Sequence, residues 1–286
     1  MPSIFEPSPA AAGWPRYQHI ILDCDSTLCA IEGIDCLAAQ PDSRQRVIQL
    51  TNAAMNGQLP LAEVYGRRLE LISPTHSAVR ELASRYIRSL VPGARHAVTG
   101  LLAQDCEVYI VSGGLQEPVT ELGVSLGIPA SNIRAVEIEY DQLGGEWWRS
   151  QPLDSSQRTE QCYLAYRHSE LAESNGKASI ISQLLEGKSG TSLLIGDGVS
   201  DLLARNSVDL FVGFGGVESR TQVRQNAPVF IQSSSLLPLL ALGLGSRAFY
   251  KLDASLRATV VEELKSHPLF FNRKILEKHF NDSFLN

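Results

Sequence analysis

Short apolar runs and longer amphipathic stretches alternate along this chain, and together they predict a layered α/β fold. Branched apolar residues cluster at 19–22, 108–111 and 193–195, and again near 210 and 229. Their length and lack of polar alternation are typical of strands buried on both faces of a parallel sheet. Helical patterns separate these runs, so right-handed crossovers are expected. The pattern therefore predicts a doubly wound parallel sheet.

One long stretch between the first two strands lacks any strand pattern. Residues 30–91 are helical in periodicity, and Pro41, 57–60 and 73–74 punctuate them as turns. A helical segment that interrupts the strand–helix alternation is expected to form an inserted cap. The core is accordingly assigned to residues 16–29 and 92–245.

A second departure from the alternation follows the second strand. In residues 133–148 the apolar side chains of Val136, Ile138 and Tyr140 alternate with polar ones, and the glycine pair at 144–145 supplies a turn. Period-two alternation around a glycine turn predicts a β-hairpin.

Residues 246–286 form a tail whose apolar positions keep a helical spacing. The positions are Leu252, Leu256, Val260, Val261 and Leu264, continued after Pro268 by Ile275, Leu276, Phe280 and Phe284. We consider two interpretations: an extra helical pair packed on the core, or a surface for homodimer formation.

Composition and charge favour a soluble globular protein and argue against two classes of partner. The chain has 286 residues, 44% of them hydrophobic and 20% charged, as in ordinary soluble globular proteins. Its formal net charge of −6 argues against nucleic-acid and anionic-membrane partners. The longest apolar run, 236–244, is too short to span a bilayer.

The N-terminus and the cysteines favour a cytoplasmic protein. Residues 1–15 are rich in proline and alanine and lack the basic start and apolar centre of a secretory signal, so we expect a disordered leader. The five cysteines form no CxxC pair, which fits reduced thiols in the cytosol.

Candidate chemistry begins at the end of the first strand. Asp23 and Asp25 follow it two residues apart, where open α/β sheets bind their ligands. One carboxylate can attack a phosphorus atom while the other handles the proton on the leaving oxygen. The alternative is an ordinary polar loop after a strand.

Three further sites make that alternative much weaker. The second apolar run ends in a hydroxyl and two glycines at 112–114, where backbone N–H groups can approach an anion. Lys177 opens a helical segment, and Asp197 and Asp201 follow the next buried strand. Acids, a lysine and an anion-binding turn at neighbouring strand ends indicate a phosphoryl-transfer site.

These motifs, in this order, resemble the haloacid dehalogenase (HAD) superfamily and, within it, the phosphoserine phosphatases. Residues 32–35, 68–72 and 213–216 also match that family, and the resemblance covers roughly residues 17 to 240. It implies a Rossmann-like HAD core, a helical cap and a small flap near the site. It does not cover the tail.

The resemblance also implies roles for individual residues. Asp23 is expected to be the nucleophile, and Asp23 and Asp197 the side-chain ligands of a Mg²⁺ ion, which prefers oxygen ligands. Asp25 is expected to contribute its backbone carbonyl to the metal and to act as general acid and base, and Asp201 to orient a bound water or Lys177. The residues expected to bind the substrate are Glu32, Met55, Arg68, Ser112, Gly113, Gly114 and Ser200, with Lys177 holding a phosphate oxygen.

The cap offers a clue to the substrate. Arg68 is the only charge on the apolar stripe of the helix at 61–72. It either extends its head group to water or awaits a substrate carboxylate, which a guanidinium binds with two hydrogen bonds. Glu32 could meet an ammonium group. Together these residues predict a small amino-acid phosphate, and the resemblance implies L-phosphoserine.

Two departures from the family pattern keep other substrates open. Leu61 follows Pro60 where the family commonly has phenylalanine, and Asn56 follows Met55 in place of glycine. The alternatives are a sugar-acid or amino-alcohol phosphate as substrate, or a phosphotransferase or phosphomutase reaction on the same fold.

Overall fold

The computed structural model describes residues 14–38, 40–141, 161–167, 169–272 and 275. The expected leader up to residue 13, the glycine pair at 144–145 and the tail beyond residue 275 lie outside these residues.

A seven-stranded sheet forms the centre of the protein. The strands of the described residues are β1 (His19–Leu22), β2 (Glu107–Leu115), β3 (Ile133–Val136), β4 (Ile138–Tyr140), β5 (Tyr163–Tyr166), β6 (Ser192–Gly196), β7 (Leu210–Phe214), β8 (Val229–Ile231) and β9 (Phe270–Phe271). The main sheet has the order β3-β2-β1-β6-β7-β8-β9. Its first six strands are parallel, and β9 is antiparallel to β8. The predicted doubly wound parallel sheet is confirmed.

The central strand, β1, sets the relative positions of the chain segments that carry the candidate site residues. β1 pairs in register with both neighbours, so that Leu22 lies opposite Ile110 of β2 and Ile195 of β6. Alternation sends Ile20 and Leu22 into one hydrophobic core and Ile21 into the other. The chain segments that follow β1 and β6 therefore leave the sheet side by side.

Helices cover both faces of the sheet. The α-helices of the described residues are α1 (Gly33–Leu37), α2 (Pro41–Met55), α3 (Leu61–Ile72), α4 (His76–Arg88), α5 (Ala94–Leu102), α6 (Gln116–Ser125), α7 (Gly176–Leu185), α8 (Val199–Leu203), α9 (Thr221–Asn226), α10 (Pro238–Phe249) and α11 (Ala254–Ser266). Buried residues of α5, α6, α10 and α11 fill one core, and those of α7, α8 and α9 fill the other. Within the described part of the chain, no helix combines the length and apolarity needed to cross a membrane.

The stretch between β1 and β2 is helical, as the periodicity predicts. It contains α1 to α5, of which α1 to α4 fall within residues 30–91, and Thr75 caps α4 by accepting a hydrogen bond from the Ala78 N–H. Ser73 adopts a left-handed conformation that ends α3. Val64, Tyr65, Arg68 and Leu69 form the buried face of α3. The position of Arg68 on the inward stripe is therefore as predicted.

A small antiparallel sheet lies after β3, although its bounds differ from those predicted. β4 pairs with β5, with Ile138 opposite Tyr166. Val136 belongs instead to the core strand β3, where it is fully buried and pairs with Leu115. Alternation alone did not distinguish the two strands, because Val136 and Ile138 continue one period across a change of sheet.

The described part of the tail packs on the core of its own chain. Val260 and Leu264 of α11 are buried in the same hydrophobic core as β1. After Pro268 the chain forms β9, which pairs with β8 through Phe270 and Phe271. The packing of α11 agrees with the first interpretation, the strand was not predicted, and all but the first residue of the second helical stretch, 275–284, lies outside the described residues.

Candidate active site

Three buried aspartates converge where β1 and β6 end. Asp23 follows β1, Asp197 follows β6 and Asp201 lies in α8. One carboxylate oxygen from each lies within 4.8 Å of the others. All three are almost completely buried. A concentration of negative charge with so little water requires cations nearby.

Lys177 supplies one of those cations. Its Nζ atom lies 2.8 Å from Asp23 Oδ1 and 2.7 Å from Asp201 Oδ1. Burial opposes its charge, but Asp201 and Asp23 outweigh that cost and hold the pKa of Lys177 above its usual value. Gly176, just before it, packs so tightly on the carbonyl of Glu170 that any side chain there would overlap it. The start of α7, and with it Lys177, is thereby fixed.

Asp201 is held by the turn that follows β6. Its Oδ2 accepts a hydrogen bond from the Gly198 N–H at 3.1 Å. A Cβ atom at Gly196 would overlap the Asp201 carboxylate, so this strand end requires glycine. Burial raises the pKa of Asp201 to about 7, with the charge of Asp23 adding to the shift.

Asp25 occupies a different environment. Its Oδ1 accepts hydrogen bonds from the Tyr86 hydroxyl at 2.6 Å and from the Gly33 N–H at 3.1 Å. Burial and the charge of Glu32 raise the pKa of Asp25 well above its usual value, against the opposing effect of the Tyr86 hydrogen bond. Burial likewise raises the pKa of Tyr86. A carboxyl group with a raised pKa holds its proton to a higher pH than usual, which suits a general acid.

Arg220 is a second buried cation that sequence reasoning missed. Its Nε donates to Asp197 Oδ2 at 3.0 Å, and its Nη2 lies 3.7 Å from Glu32 Oε1. Glu32 Oε1 also accepts a hydrogen bond from the Ser26 hydroxyl at 2.7 Å. The one available signal was that Arg220 follows the family-like stretch 213–216. The structure thus places a cation beside Glu32, which the sequence predicted to meet a substrate ammonium.

Arg68 lies in the cap with an incomplete set of partners. Its Nη1 donates to Thr51 Oγ1 at 3.0 Å, and the Thr51 hydroxyl donates to Asp35 Oδ1 at 2.6 Å. Its Nε is buried without a hydrogen-bond partner, as is the hydroxyl of Tyr65. The Arg68 guanidinium lies 5.3 Å from the centre of the Tyr65 ring. Among the described residues, no carboxylate forms an ion pair with Arg68.

The remaining predicted residues surround the same edge of the sheet. Ser112 is buried in β2, where the pairing with β3 shifts register, and its Oγ accepts a hydrogen bond from the Gly114 N–H at 3.0 Å. A Cβ atom at Gly114 would lie 3.3 Å from Asp25 Oδ2. A Cβ atom at Gly198 would lie 3.5 Å from the Met55 side chain.

Two predicted residues are less enclosed. Gly113 is partly exposed, and a Cβ atom there would approach only the carbonyl oxygen of Leu171, at 3.7 Å. Ser200 is partly exposed in α8. Both leave room for a ligand at the carboxyl edge of the sheet.

The donor set suits a hard divalent cation. The carboxylates of this region, namely the buried Asp23, Asp25, Asp35, Asp197 and Asp201 and the partly exposed Glu32, outnumber the buried cations Lys177, Arg68 and Arg220. Burial and the charge of Glu32 raise the pKa of Asp197 well above its usual value, although Arg220 opposes the shift. A divalent ion held by carboxylate oxygens would offset this excess of negative charge.

The sequence has relatives among the phosphoserine phosphatases. A scan against protein-family models found no match. The chain is 33% identical to phosphoserine phosphatase of Rattus norvegicus over 213 residues, which is 74% of this chain and 88% of the relative. It is also 33% identical to chloroplastic phosphoserine phosphatase of Arabidopsis thaliana over 218 residues, 75% of this chain and 68% of the relative.

Solved structures agree with this fold. A substrate-bound phosphoserine phosphatase complex matches with a TM-score of 0.64 at 19% identity, covering 79% of this chain and 98% of that one. A HAD family hydrolase from Salmonella enterica matches with a TM-score of 0.65 at 18% identity, covering 81% and 72%. This chain therefore belongs to the phosphoserine phosphatase family of the HAD superfamily and is a phosphoric monoester hydrolase.

Proposed function

We propose that this protein hydrolyses L-phosphoserine to serine and phosphate, with Mg²⁺ as cofactor and through an aspartyl-phosphate on Asp23. The observation that carries the proposal is the Lys177 bridge between Asp23 and Asp201, together with a third aspartate, Asp25, whose pKa is raised. Lys177 contacts the carboxylate of Asp23, whereas burial and the charge of Glu32 raise the pKa of Asp25. Nucleophile and acid are distinguished by their surroundings.

Asp23 is oriented for attack by two donors on one oxygen. Lys177 and the Cys24 N–H both contact Oδ1, each at 2.8 Å. Oδ2 is then the oxygen directed at the phosphorus. The ammonium of Lys177 also offsets the repulsion between a carboxylate and a phosphate dianion.

Asp25 serves as acid and then as base. In its protonated form it gives a proton to the departing serine oxygen. As a carboxylate it then takes a proton from the water that attacks the aspartyl-phosphate. An acid at this position favours hydrolysis over mere storage of the phosphoryl group.

The end of β2 binds the other phosphate oxygens. The Gly114 N–H donates to Ser112 Oγ, which leaves the Ser112 hydroxyl hydrogen to be donated to the phosphate. The Gly113 N–H is proposed as a second donor, because such groups stabilise charge that grows in the transition state. Gly114, Met55 and Ser200 line the same space.

The acidic cluster provides the proposed metal ligands. Asp23 and Asp197 would bind Mg²⁺ through their carboxylates and Asp25 through its backbone carbonyl, while Asp201 keeps Lys177 in place. When bound, the ion neutralises negative charge on the phosphate. Arg220 would orient the Asp197 carboxylate through its hydrogen bond to Oδ2.

The cap recognises the amino-acid end of the substrate. Residues 30–91 are proposed to form this cap over a core of residues 16–29 and 92–245, with 246–286 as an extension. Arg68 would bind the substrate carboxylate through its unsatisfied Nε. Glu32 would bind the ammonium group of the substrate while it also pairs with Arg220.

We also propose that the protein acts in the cytoplasm. Its five cysteines, all among the described residues, form no disulfide with one another. That state fits a reducing compartment.

A substrate panel tests the proposal directly. Phosphate release by the full chain is measured on L-phosphoserine, on phosphoethanolamine, which lacks the carboxylate, and on 3-phosphoglycerate, which lacks the ammonium group. We expect L-phosphoserine to have the highest kcat/KM, and chelation of divalent ions to abolish activity until Mg²⁺ is restored. A preference for either analogue would refute the substrate, and full activity after chelation would refute the metal.

A further inference from the structure

We propose that Tyr86 is a positioning residue for Asp25, and that it determines which carboxyl oxygen exchanges the proton during catalysis. This inference rests on the proposed function, in which Asp25 is the acid and base. Tyr86 lies in α4, outside every motif that the sequence analysis identified.

The two oxygens of Asp25 have different partners. Oδ1 accepts the Tyr86 hydroxyl at 2.6 Å and the Gly33 N–H at 3.1 Å. An oxygen that accepts two hydrogen bonds is the one that carries no proton in the acid form. The proton of the acid therefore resides on Oδ2.

Two glycines shape this arrangement. A Cβ atom at Gly33 would overlap the Tyr86 hydroxyl, so the hydroxyl reaches Asp25 only because Gly33 has no side chain. A Cβ atom at Gly114 would lie 3.2 Å from the same hydroxyl and 3.3 Å from Asp25 Oδ2. Oδ2 thus lies beside Gly114 at the end of β2, and the Gly114 N–H bonds Ser112 Oγ, the proposed phosphate contact. In the proposed reaction, Oδ2 is therefore the oxygen that gives up the proton.

The proposed steps balance as follows. As the Asp23–phosphorus bond forms and the ester bond breaks, the proton on Asp25 Oδ2 moves to the departing alcohol oxygen. Water then attacks phosphorus and releases Asp23, while a water proton returns to Oδ2. Tyr86 keeps its own proton and donates to Oδ1 throughout. Without that hydrogen bond the carboxyl group can rotate, and the proton loses its fixed direction.

The test compares Tyr86→Phe with Tyr17→Phe in the full chain. Tyr17 is a matched control, because its buried hydroxyl has no hydrogen-bond partner and the residue precedes β1, at the opposite end of that strand from Asp23. Each variant is assayed on L-phosphoserine, whose alkoxide leaving group needs a proton, and on 4-nitrophenyl phosphate, whose phenolate does not.

We expect Tyr86→Phe to lower kcat/KM roughly tenfold on L-phosphoserine, because the lost hydrogen bond would strengthen as Asp25 gives up its proton and becomes charged, and less than about threefold on 4-nitrophenyl phosphate. Tyr17→Phe should leave both unchanged. The ratio of the two kcat/KM values does not depend on the fraction of folded enzyme, so a merely structural role for Tyr86 would leave that ratio at its wild-type value.

A second variant, Gly33→Ala, displaces the Tyr86 hydroxyl without removing it, and should change the ratio in the same direction. An unchanged ratio in Tyr86→Phe overturns the proposal. If the wild type hydrolyses another alkyl phosphate but not L-phosphoserine, the proposed substrate is wrong, and Tyr86 is tested with that ester. If the wild type releases phosphate from none of these esters, the proposed function fails and the role of Tyr86 fails with it.

Discussion

Two buried charge clusters in this protein differ in how completely they are paired. In the Lys177 cluster, formed by Asp23, Lys177 and Asp201, the lysine contacts two carboxylates at 2.8 and 2.7 Å. In the Arg68 cluster, formed by Thr51, Arg68 and Asp35, the guanidinium reaches a carboxylate only through a hydroxyl, and its Nε has no partner. The proposed reaction centre is preassembled, whereas the proposed recognition centre has an unpaired donor.

This difference in pairing suggests that the Lys177 cluster determines the rate of the reaction and that the Arg68 cluster determines the selectivity between substrates. A buried donor without a partner costs about 1–3 kcal/mol. A substrate that supplies the missing acceptor recovers that energy, and one that lacks it does not. Sites built in this way discriminate strongly against analogues without the matching group. The following predictions test this division.

The largest effect is expected from breaking the Lys177 cluster. Asp23→Asn removes the proposed nucleophile and a proposed metal-binding oxygen together, so activity should fall below about 1% of wild type on L-phosphoserine and 4-nitrophenyl phosphate alike. Steady-state kinetics and a thermal melt check the loss and the retained fold. Residual activity above that level would contradict a covalent route through Asp23.

Removing the charge of the Arg68 cluster should be selective. Arg68→Ala is expected to lower kcat/KM on L-phosphoserine by roughly tenfold to a hundredfold, the value of a charge-assisted hydrogen bond, and to leave 4-nitrophenyl phosphate nearly unaffected. Arg67→Ala is the matched control, because Arg67 is the neighbouring arginine on α3 and is exposed. An equal loss on both substrates would show that Arg68 serves the phosphate or the fold.

Weakening the same cluster without removing its charge should have a smaller effect. Thr51→Val keeps the side-chain shape but removes the hydroxyl between Arg68 and Asp35. We expect kcat/KM on L-phosphoserine to fall roughly twofold to tenfold, since a neutral hydrogen bond contributes about 0.5–1.5 kcal/mol. A loss larger than that of Arg68→Ala would mean that Thr51 contacts the substrate itself.

The smallest expected effect is a change with pH in the free energy of unfolding of the metal-free protein. Burial raises the pKa of Asp201 to about 7 and also raises the pKa values of Asp25 and Asp197. The unfolded chain loses these protons near pH 4, so the free energy of unfolding should decrease as pH rises from about 4 to about 7.

Thermal melts across this pH range, with and without Mg²⁺, measure that decrease. Mg²⁺ should stabilise the protein more at the upper end of the range, because it binds the ionised carboxylates. A metal-free Tm that rises steadily with pH from 4 to 7 would contradict the assigned pKa shifts.

The sequence predicted the parts of the molecule that are local in the chain. Buried parallel strands appear as apolar runs, so β1, β6 and the acids that follow them could be identified from spacing. Tyr86 and Thr51 reach the site only through folding, and no local pattern marks them. The one signal for Arg220 was its place after the stretch 213–216. The bounds of the small antiparallel sheet were wrong because Val136 and Ile138 share one alternation across two sheets.

The late strand β9 has a consequence for synthesis of the protein. The residues of the reaction centre, from Asp23 to Arg220, all precede it, and about forty residues separate β8 from Phe271. At roughly 5–20 residues per second, the edge of β8 stays unpaired for about two to eight seconds after β8 itself is made. Exposed strand edges are templates for association with other chains. The residues of the proposed reaction centre are therefore synthesised before β9, the strand that covers the edge of β8 against association with other chains.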